Sequence, residues 1–179
     1  AQELRDPVRR VQELALADNN IKAHAVFKFF PCASDGQKLL IYGSDGKSIL
    51  ETFYFGRQSQ RDGLCLADYS LPVSSVSGGL ATGLEGADYL AMFVVSVGSG
   101  VLDLSQRLKE EGKFLDSHLL QALALESAEG FAELLHQQIR QMWGFGDPTG
   151  TSHQDLFRTQ YRGRRYSFGY PACPRLEDQ

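Results

Sequence analysis

The chain has 179 residues, of which 42% are hydrophobic and 22% charged, with a formal net charge of −4. These are the proportions of one globular domain with a core of its own, and the acidic balance argues against non-specific nucleic-acid binding despite a local basic cluster at Arg162, Arg164 and Arg165. No apolar run is long enough to span a bilayer and no signal peptide opens the chain, so no membrane partner is expected.

Asp6-Pro7 reads as a helix start, with Asp at the cap and Pro at the first helical position. The spacing of Val8, Val11, Leu14 and Ala15 predicts a short amphipathic helix that ends at Asp18-Asn-Asn20. Ala25 to Pro31 is rich in β-formers and predicts a strand. Ser34-Asp-Gly36 is a turn, and Lys38 to Tyr42 the second strand of a hairpin. After a further turn at Asp45-Gly46, Ile49 to Phe55 is a third strand, or a strand running into a helix. Arg57 to Asp62 is polar and expected to be exposed, and Ser74 to Gly86, rich in Ser and Gly, reads as the loosest stretch.

Asp88 to Val97 is nearly all apolar and predicts a buried central strand. Val101 to Glu111 is a short helix stopped by Gly112. Asp116 to Trp143 is the longest helical pattern, with Leu120, Leu123, Ser127, Phe131, Leu134, Ile139 and Met142 near one stripe and Gly130 as its weak point. Phe145 to Gly150 reads as a linker, and Ser152 to Tyr161 as a short capped helix. Hairpin-linked strands mixed with helices predict an α+β fold with a largely antiparallel sheet.

Few constellations carry chemistry. Glu126, Glu129, Glu133 and His136 share a helix face, and Glu133-x-x-His136 is a metal-binding step only when a second equivalent step exists. None does, so a solvated face is the favoured reading. No nucleophile elbow and no phosphate loop occurs, and no catalytic or metal-ligating residue is assigned. Cys32, Cys65 and Cys173 are odd in number and widely spaced, which predicts unpaired thiols in a reduced, cytoplasmic setting. Cys173 reads as a small packed hydrophobe. Tyr89, Trp143 and Phe145 read as core, with a ligand pocket as the alternative. Asp68, a charge among apolar neighbours, predicts a structural partner such as an arginine.

The richest stretch is Tyr161-Arg-Gly-Arg-Arg-Tyr-Ser-Phe-Gly-Tyr-Pro-Ala-Cys-Pro174. Fixed positive charge, flat aromatic faces and a Gly-Pro backbone suit an anionic, partly aromatic ligand, the bland alternative being a surface turn with an exposed basic patch.

Arg165-x-x-x-Gly169-Tyr170-Pro171-Ala172-Cys173-Pro174 resembles the signature of the reactivation domain of cobalamin-dependent methionine synthase. Phe29-Phe-Pro31, Cys65-Leu-Ala-Asp-Tyr69, Ala87-Asp-Tyr89, and Ala128 to His136 followed by Trp143-Gly144 fit the same family in the same order, so the resemblance runs from about Ala25 to Pro174. It implies a twisted antiparallel sheet flanked by helices, and a module that binds S-adenosylmethionine for reductive methylation of oxidised cobalamin. The cobalamin-binding domain of the synthase and a flavodoxin-type electron donor are the implied partners.

By the same resemblance Arg165 clamps the ligand carboxylate, the backbone of Ser167 and Gly169 meets the nucleoside, Tyr170 contacts adenine or faces the corrin, and Glu129 accepts a polar group of the ligand. Tyr166 and Phe168 stand where relatives carry proline, which implies a more aromatic and less stiff loop. Residues 1–179 are expected to form a single, partial activation domain. Two further readings stand beside it: a stand-alone or degenerate module acting in binding or interaction, and a sensor of another nucleoside.

Overall fold

The computed structural model describes residues 5–60, 63–75 and 88–179. Its described elements follow the order α1 (Arg5–Ala17), β1 (His24–Asp35), β2 (Lys38–Tyr42), β3 (Ile49–Tyr54), β4 (Asp88–Ser96), α2 (Gly100–Glu110), α3 (Phe114–Met142) and α4 (His153–Phe157). The four strands form one antiparallel sheet in the order β3-β2-β1-β4, so the fold is α+β. The chain divides into two compact units, residues 1–26 with 93–163 and residues 27–92 with 164–179, and the division falls inside β1 and β4.

In the first unit the helices pack on one another, α1 and α2 both against α3. Val11 of α1, Val101, Leu104 and Leu108 of α2, and Leu120 of α3 form its buried apolar cluster. Polar groups enclosed there are paired: the Ser105 and Ser117 hydroxyls lie 2.8 Å apart, and Gln121 donates to Ser105 Oγ at 2.9 Å. Arg10 Nε of α1 donates to the Asp116 carboxylate near the start of α3 at 3.1 Å. Ser152 and Asp155 form the reciprocal cap of α4, so the short helix at 153–157 has the start its sequence predicts.

The second unit is built on the β1–β2–β3 meander. Cys32 to Asp35 pairs with Ile41 to Lys38, and Lys38 to Tyr42 pairs with β3 across an irregularity between Ile41 and Tyr42. Gly36 turns the first hairpin at φ 63°, a conformation cheap only for glycine. Cys32, Leu39, Ile41, Phe55, Cys65, Ala67 and Cys173 make the core of this unit. All three cysteines are buried and unpaired. Burial pushes the Cys32 thiol up to about 11, the Ser70 hydroxyl at 3.6 Å opposing the shift.

Several expectations are corrected. The first strand does not stop at Pro31 but runs to Asp35. Pro31 lies one residue before the ladder with β2 begins, so its missing N–H removes no bond from that pairing. Of the two readings of the third segment the structure takes the first, a strand over Ile49–Tyr54 that does not run on into a helix. Among the described strands β4 stands at the edge rather than the centre, and it is half-buried, with Val94 71% exposed. Tyr89 and Trp143 are partly exposed rather than core. Residues 76–87, which contain most of the Ser/Gly-rich stretch, lie outside the described residues, as do 61 and 62 of the polar segment.

The buried stripe of α3 is also rotated from its expected course. It passes through Leu120, Ala132, Leu135, His136, Ile139 and Arg140, while Ser127, Leu134 and Met142 are exposed. Hydrophobic periodicity assigns Arg140 and His136 to water. Arg140 is buried against a carboxylate from the following loop, and His136 against Arg140.

Candidate functional site

The stretch from Arg164 to Pro174 lies in the second unit and is organised by its own short contacts. The Gly169 amide donates to the Cys173 carbonyl and the Cys173 amide to the Tyr170 carbonyl, both at 2.9 Å, closing a tight turn over Tyr170-Pro171-Ala172. The Cys173 thiol, 5% exposed, donates to the Ser167 carbonyl at 2.9 Å, and burial raises its pKa. Gly169 has φ 88°, and a Cβ there would come within 2.7 Å of Leu176 Cδ2. Glycine is therefore favoured by its backbone conformation, while the exposed Leu176 side chain could swing aside for a Cβ.

Arg165 Nη1 donates to Ser167 Oγ at 3.4 Å, so these two side chains lie on the same side of the loop. The two residues between and beyond them turn to aromatic partners. Tyr166 donates its hydroxyl to that of Tyr69 at 3.2 Å, with ring centroids 5.9 Å apart. Loss of hydration followed by this hydrogen bond pushes the Tyr166 phenol up to about 12. Phe168 packs against Phe53 at 5.7 Å. Tyr170 is 60% exposed at the tip. Arg165, Ser167, Gly169 and Tyr170 are thus gathered on one loop, with a guanidinium, a hydroxyl and a side-chain-free backbone position within residues 165–170.

Tyr69 itself ends a 3-10 turn, Leu66–Tyr69. Ala67 in that turn is fully buried, and Asp68 receives both nitrogens of the Arg57 fork at 2.6 and 2.7 Å. The expected arginine partner of Asp68 is therefore Arg57, whose hydrogen bonds hold the carboxylate below its usual range. The next residues run beside β1: the Ser34 amide donates to the Leu71 carbonyl at 2.9 Å and the Ser34 hydroxyl to the Ser70 carbonyl at 3.0 Å. Asp88, of the Ala87-Asp-Tyr89 segment, accepts from the Leu71 amide at 3.1 Å.

Glu129 belongs to the first unit, on the exposed side of α3. Glu126 and Glu133 are exposed as well, but His136 is 6% exposed and leaves the solvated face on which the sequence places it. Its Nδ1 lies 2.9 Å from Arg140 Nη1 and accepts from it, which places any neutral-ring proton on Nε2. The other nitrogens of Arg140 fork onto Asp147, Nε to Oδ1 at 3.0 Å and Nη2 to Oδ2 at 2.6 Å. Gln137 donates to the same carboxylate at 3.2 Å, and the Arg140 guanidinium lies 3.8 Å from the centre of the Tyr161 ring. The side chains of Arg140 and Asp147 are only 2% and 5% exposed.

Neither this ion pair nor the two aromatic pairs of the loop was anticipated from sequence. The signals available were the four-residue spacing of His136 and Arg140 on one helix face and the Asp one turn past the helix end. A polar cleft lined by Gln137, Gln141, Gly146, Asp147, Pro148 and Thr151 offers no reactive base, since Asp147 is committed to Arg140. Among the described residues no group of three or more His, Cys, Asp or Glu is placed to hold a metal, and no helix is long and apolar enough to cross a membrane.

An α+β module carrying an Arg-to-Pro loop of this geometry is the class defined so far. The chain belongs to the family of vitamin B12-dependent methionine synthase activation domains, whose model matches residues 1–179. It is 30% identical over 174 residues to the methionine synthase of Mycobacterium tuberculosis, covering 92% of this chain and 14% of that protein. With the methionine synthase of Mycobacterium leprae it shares 29% identity over 167 residues, 88% of this chain and 13% of the relative. The chain therefore spans about a seventh of these curated relatives. Among solved structures it is similar to the MetH reactivation domain bound to AdoHcy, with a TM-score of 0.81 and 27% identity over 97% of this chain and 52% of that one.

Proposed function

We propose that this chain binds S-adenosylmethionine and presents it to a cobalamin carried by another domain, as the reactivation module of a methionine synthase. The observation that supports this most is the likeness of 97% of the chain to a reactivation domain solved with AdoHcy, the demethylated form of that ligand. S-adenosylmethionine held here would be the methyl source and the cobalamin of the other domain the acceptor, with a flavodoxin-type protein as the electron donor.

The chain's own work is positioning. The Arg165 guanidinium offers a planar fork to the ligand carboxylate. Ser167 and Gly169 offer backbone at close range to the nucleoside, Gly169 because it carries no side chain. Tyr170, exposed at the tip, offers a ring face to the adenine or the corrin. Glu129 enters through the family resemblance, as acceptor for the ligand ammonium or a ribose hydroxyl, and Glu129→Gln is its test. No proton has to be held or moved, which suits a loop without a general acid or base. Three unpaired cysteines suit a cytoplasmic setting.

Calorimetric titration of the purified chain with S-adenosylmethionine and S-adenosylhomocysteine tests the reading. Wild type should bind both, and Arg165→Ala should bind about ten- to a hundred-fold more weakly, the loss expected for a charge-assisted bidentate pair. Arg165→Lys should recover only part. Arg162→Ala, whose guanidinium lies 4.9 Å from the centre of the Phe145 ring, should change little. Absence of wild-type binding, or an Arg165→Ala variant that binds as well as wild type, sinks the proposal.

A further inference from the structure

Downstream, the loop that carries Arg165 and Ser167 is closed by backbone bonds at Gly169–Cys173 and Cys173–Tyr170, and the Cys173 thiol reaches back to the Ser167 carbonyl. Its upstream half makes ring contacts as well. Tyr166 and Phe168 alternate with Arg165 and Ser167, and each aromatic ring has a partner on a rigid part of the same unit. Tyr69 is fixed by the buried Ala67 before it, by the Arg57–Asp68 fork, and by the Ser34 bonds to residues 70 and 71 after it. Phe53 sits on β3, its ring 6.3 Å from that of Phe55, which belongs to the core cluster.

We infer that Tyr69 and Phe53 are positioning residues: through Tyr166 and Phe168 they hold the loop in its binding-ready form before any ligand arrives. This inference rests on the reading of the loop as the ligand site. The physical reason is conformational entropy. A loop segment that is not held in place populates many backbone states, and each one lost on binding subtracts from affinity. Two ring contacts at alternate residues remove states of this kind in advance. They also select a face, because Tyr166 and Phe168 alternate along the chain with Arg165 and Ser167. With Tyr166 and Phe168 docked, Arg165 and Ser167 are left together on the other side, as their 3.4 Å hydrogen bond shows. The half-exposed Tyr69–Tyr166 pair, 63% and 44% exposed, contributes geometry more than buried area.

Two readouts on the whole chain test this separately from the ligand reading. The first is amide hydrogen exchange in the ligand-free protein at Gly169 and Cys173, whose N–H groups close the loop turn. Tyr69→Phe and Tyr166→Phe should each speed exchange there about 2- to 10-fold, the worth of one hydrogen bond. The double variant should do no more than either single one, because one bond is being removed twice. Amides of the β2–β3 ladder should be unmoved. Tyr54→Phe, which removes a hydroxyl bonded to Gln37 at 3.1 Å, should leave the loop as it is.

The second readout is calorimetry with S-adenosylhomocysteine. The same variants should lose affinity by a similar factor, Phe168→Ala should lose more, and Phe168→Leu should retain most of it. Unchanged exchange at Gly169 and Cys173 overturns the inference even if wild type binds. Faster exchange with unmoved affinity overturns the positioning role. Faster exchange in a chain that binds no nucleoside keeps the staples and removes the ligand reading instead.

Discussion

Removing the Asp147 carboxylate is the sharpest test of how the first unit is held together. Arg140 is among the largest fully buried side chains, and its charge is met by one carboxylate, the ring nitrogen of His136 and the face of Tyr161. Asp147→Ala takes away both fork bonds and leaves the guanidinium without its anion. Breaking a buried pair in this way costs about 3–5 kcal/mol, because the surviving charge has lost its water and its partner. For a chain of this size each kcal/mol lowers the melting temperature by about 2–4 °C, so a fall of about 6–20 °C is expected. The chain's one tryptophan, Trp143, closes α3 in the same unit and lies 5.8 Å from Phe145, so its fluorescence in a urea titration follows this unit directly.

The Arg57–Asp68 pair has the same fork geometry but side chains 39% and 48% exposed, so Asp68→Ala should lose far less. A double replacement, Arg140→Met with Asp147→Leu, should be less damaging than Asp147→Ala alone, since no orphan charge remains. If Asp147→Ala loses under about 1 kcal/mol, or no more than Asp68→Ala, the account of Arg140 as a buried charge dependent on one anion is refuted.

Further outcomes follow from the same geometry. The hydrogen bonds from Arg140 hold the Asp147 carboxyl below its ordinary value, so its stabilisation is complete above the unfolded carboxylate pKa, about pH 4, and is lost as the pH falls through the lower folded value. Acid titration of Trp143 fluorescence should therefore show a step below about pH 4 that Asp147→Asn lacks. Gly169→Ala should distort the loop, because φ 88° opposes a side chain; affinity for S-adenosylhomocysteine should fall while the β2–β3 amides keep their exchange rates. The thiols of Cys32, Cys65 and Cys173 are all buried and those of Cys32 and Cys173 are raised in pKa, so alkylation near pH 8 should be slow in the native chain and reach all three after unfolding. A disulfide found without reductant would contradict that.

How much was legible beforehand can be followed residue by residue. Local chemistry was readable. Ser34-Asp-Gly36 announces the hairpin, Lys38 to Tyr42 is a strand as expected, Gly112 follows the end of α2, and Ser152 with Asp155 caps α4. Each of these depends on neighbours within a few residues, which sequence displays directly. The loop from Arg165 to Pro174 was readable for the same reason, since an arginine, a glycine and two prolines at fixed spacing form a local pattern. Asp68 could be assigned a partner in principle, because a lone charge among apolar residues demands one, though Arg57 could be named only once the chain was folded.

What the tertiary structure decided lies in pairings between distant residues. Whether β4 stands at the centre or edge of the sheet depends on which strands lie beside it, and its apolar run looks the same in either place. The face of α3 that is buried depends on Asp147 arriving from the following loop. With that carboxylate in place an arginine is interior, where hydrophobicity alone would choose Leu134 and Met142. Tyr69 and Tyr166 are 97 positions apart, and only the fold brings their hydroxyls within 3.2 Å. The amino-acid sequence determined the turns, the caps and the family pattern of the loop, because these are short-range. The burial of charge and the ring contacts of the loop were settled by packing, because desolvation and ring contact are properties of neighbours in space.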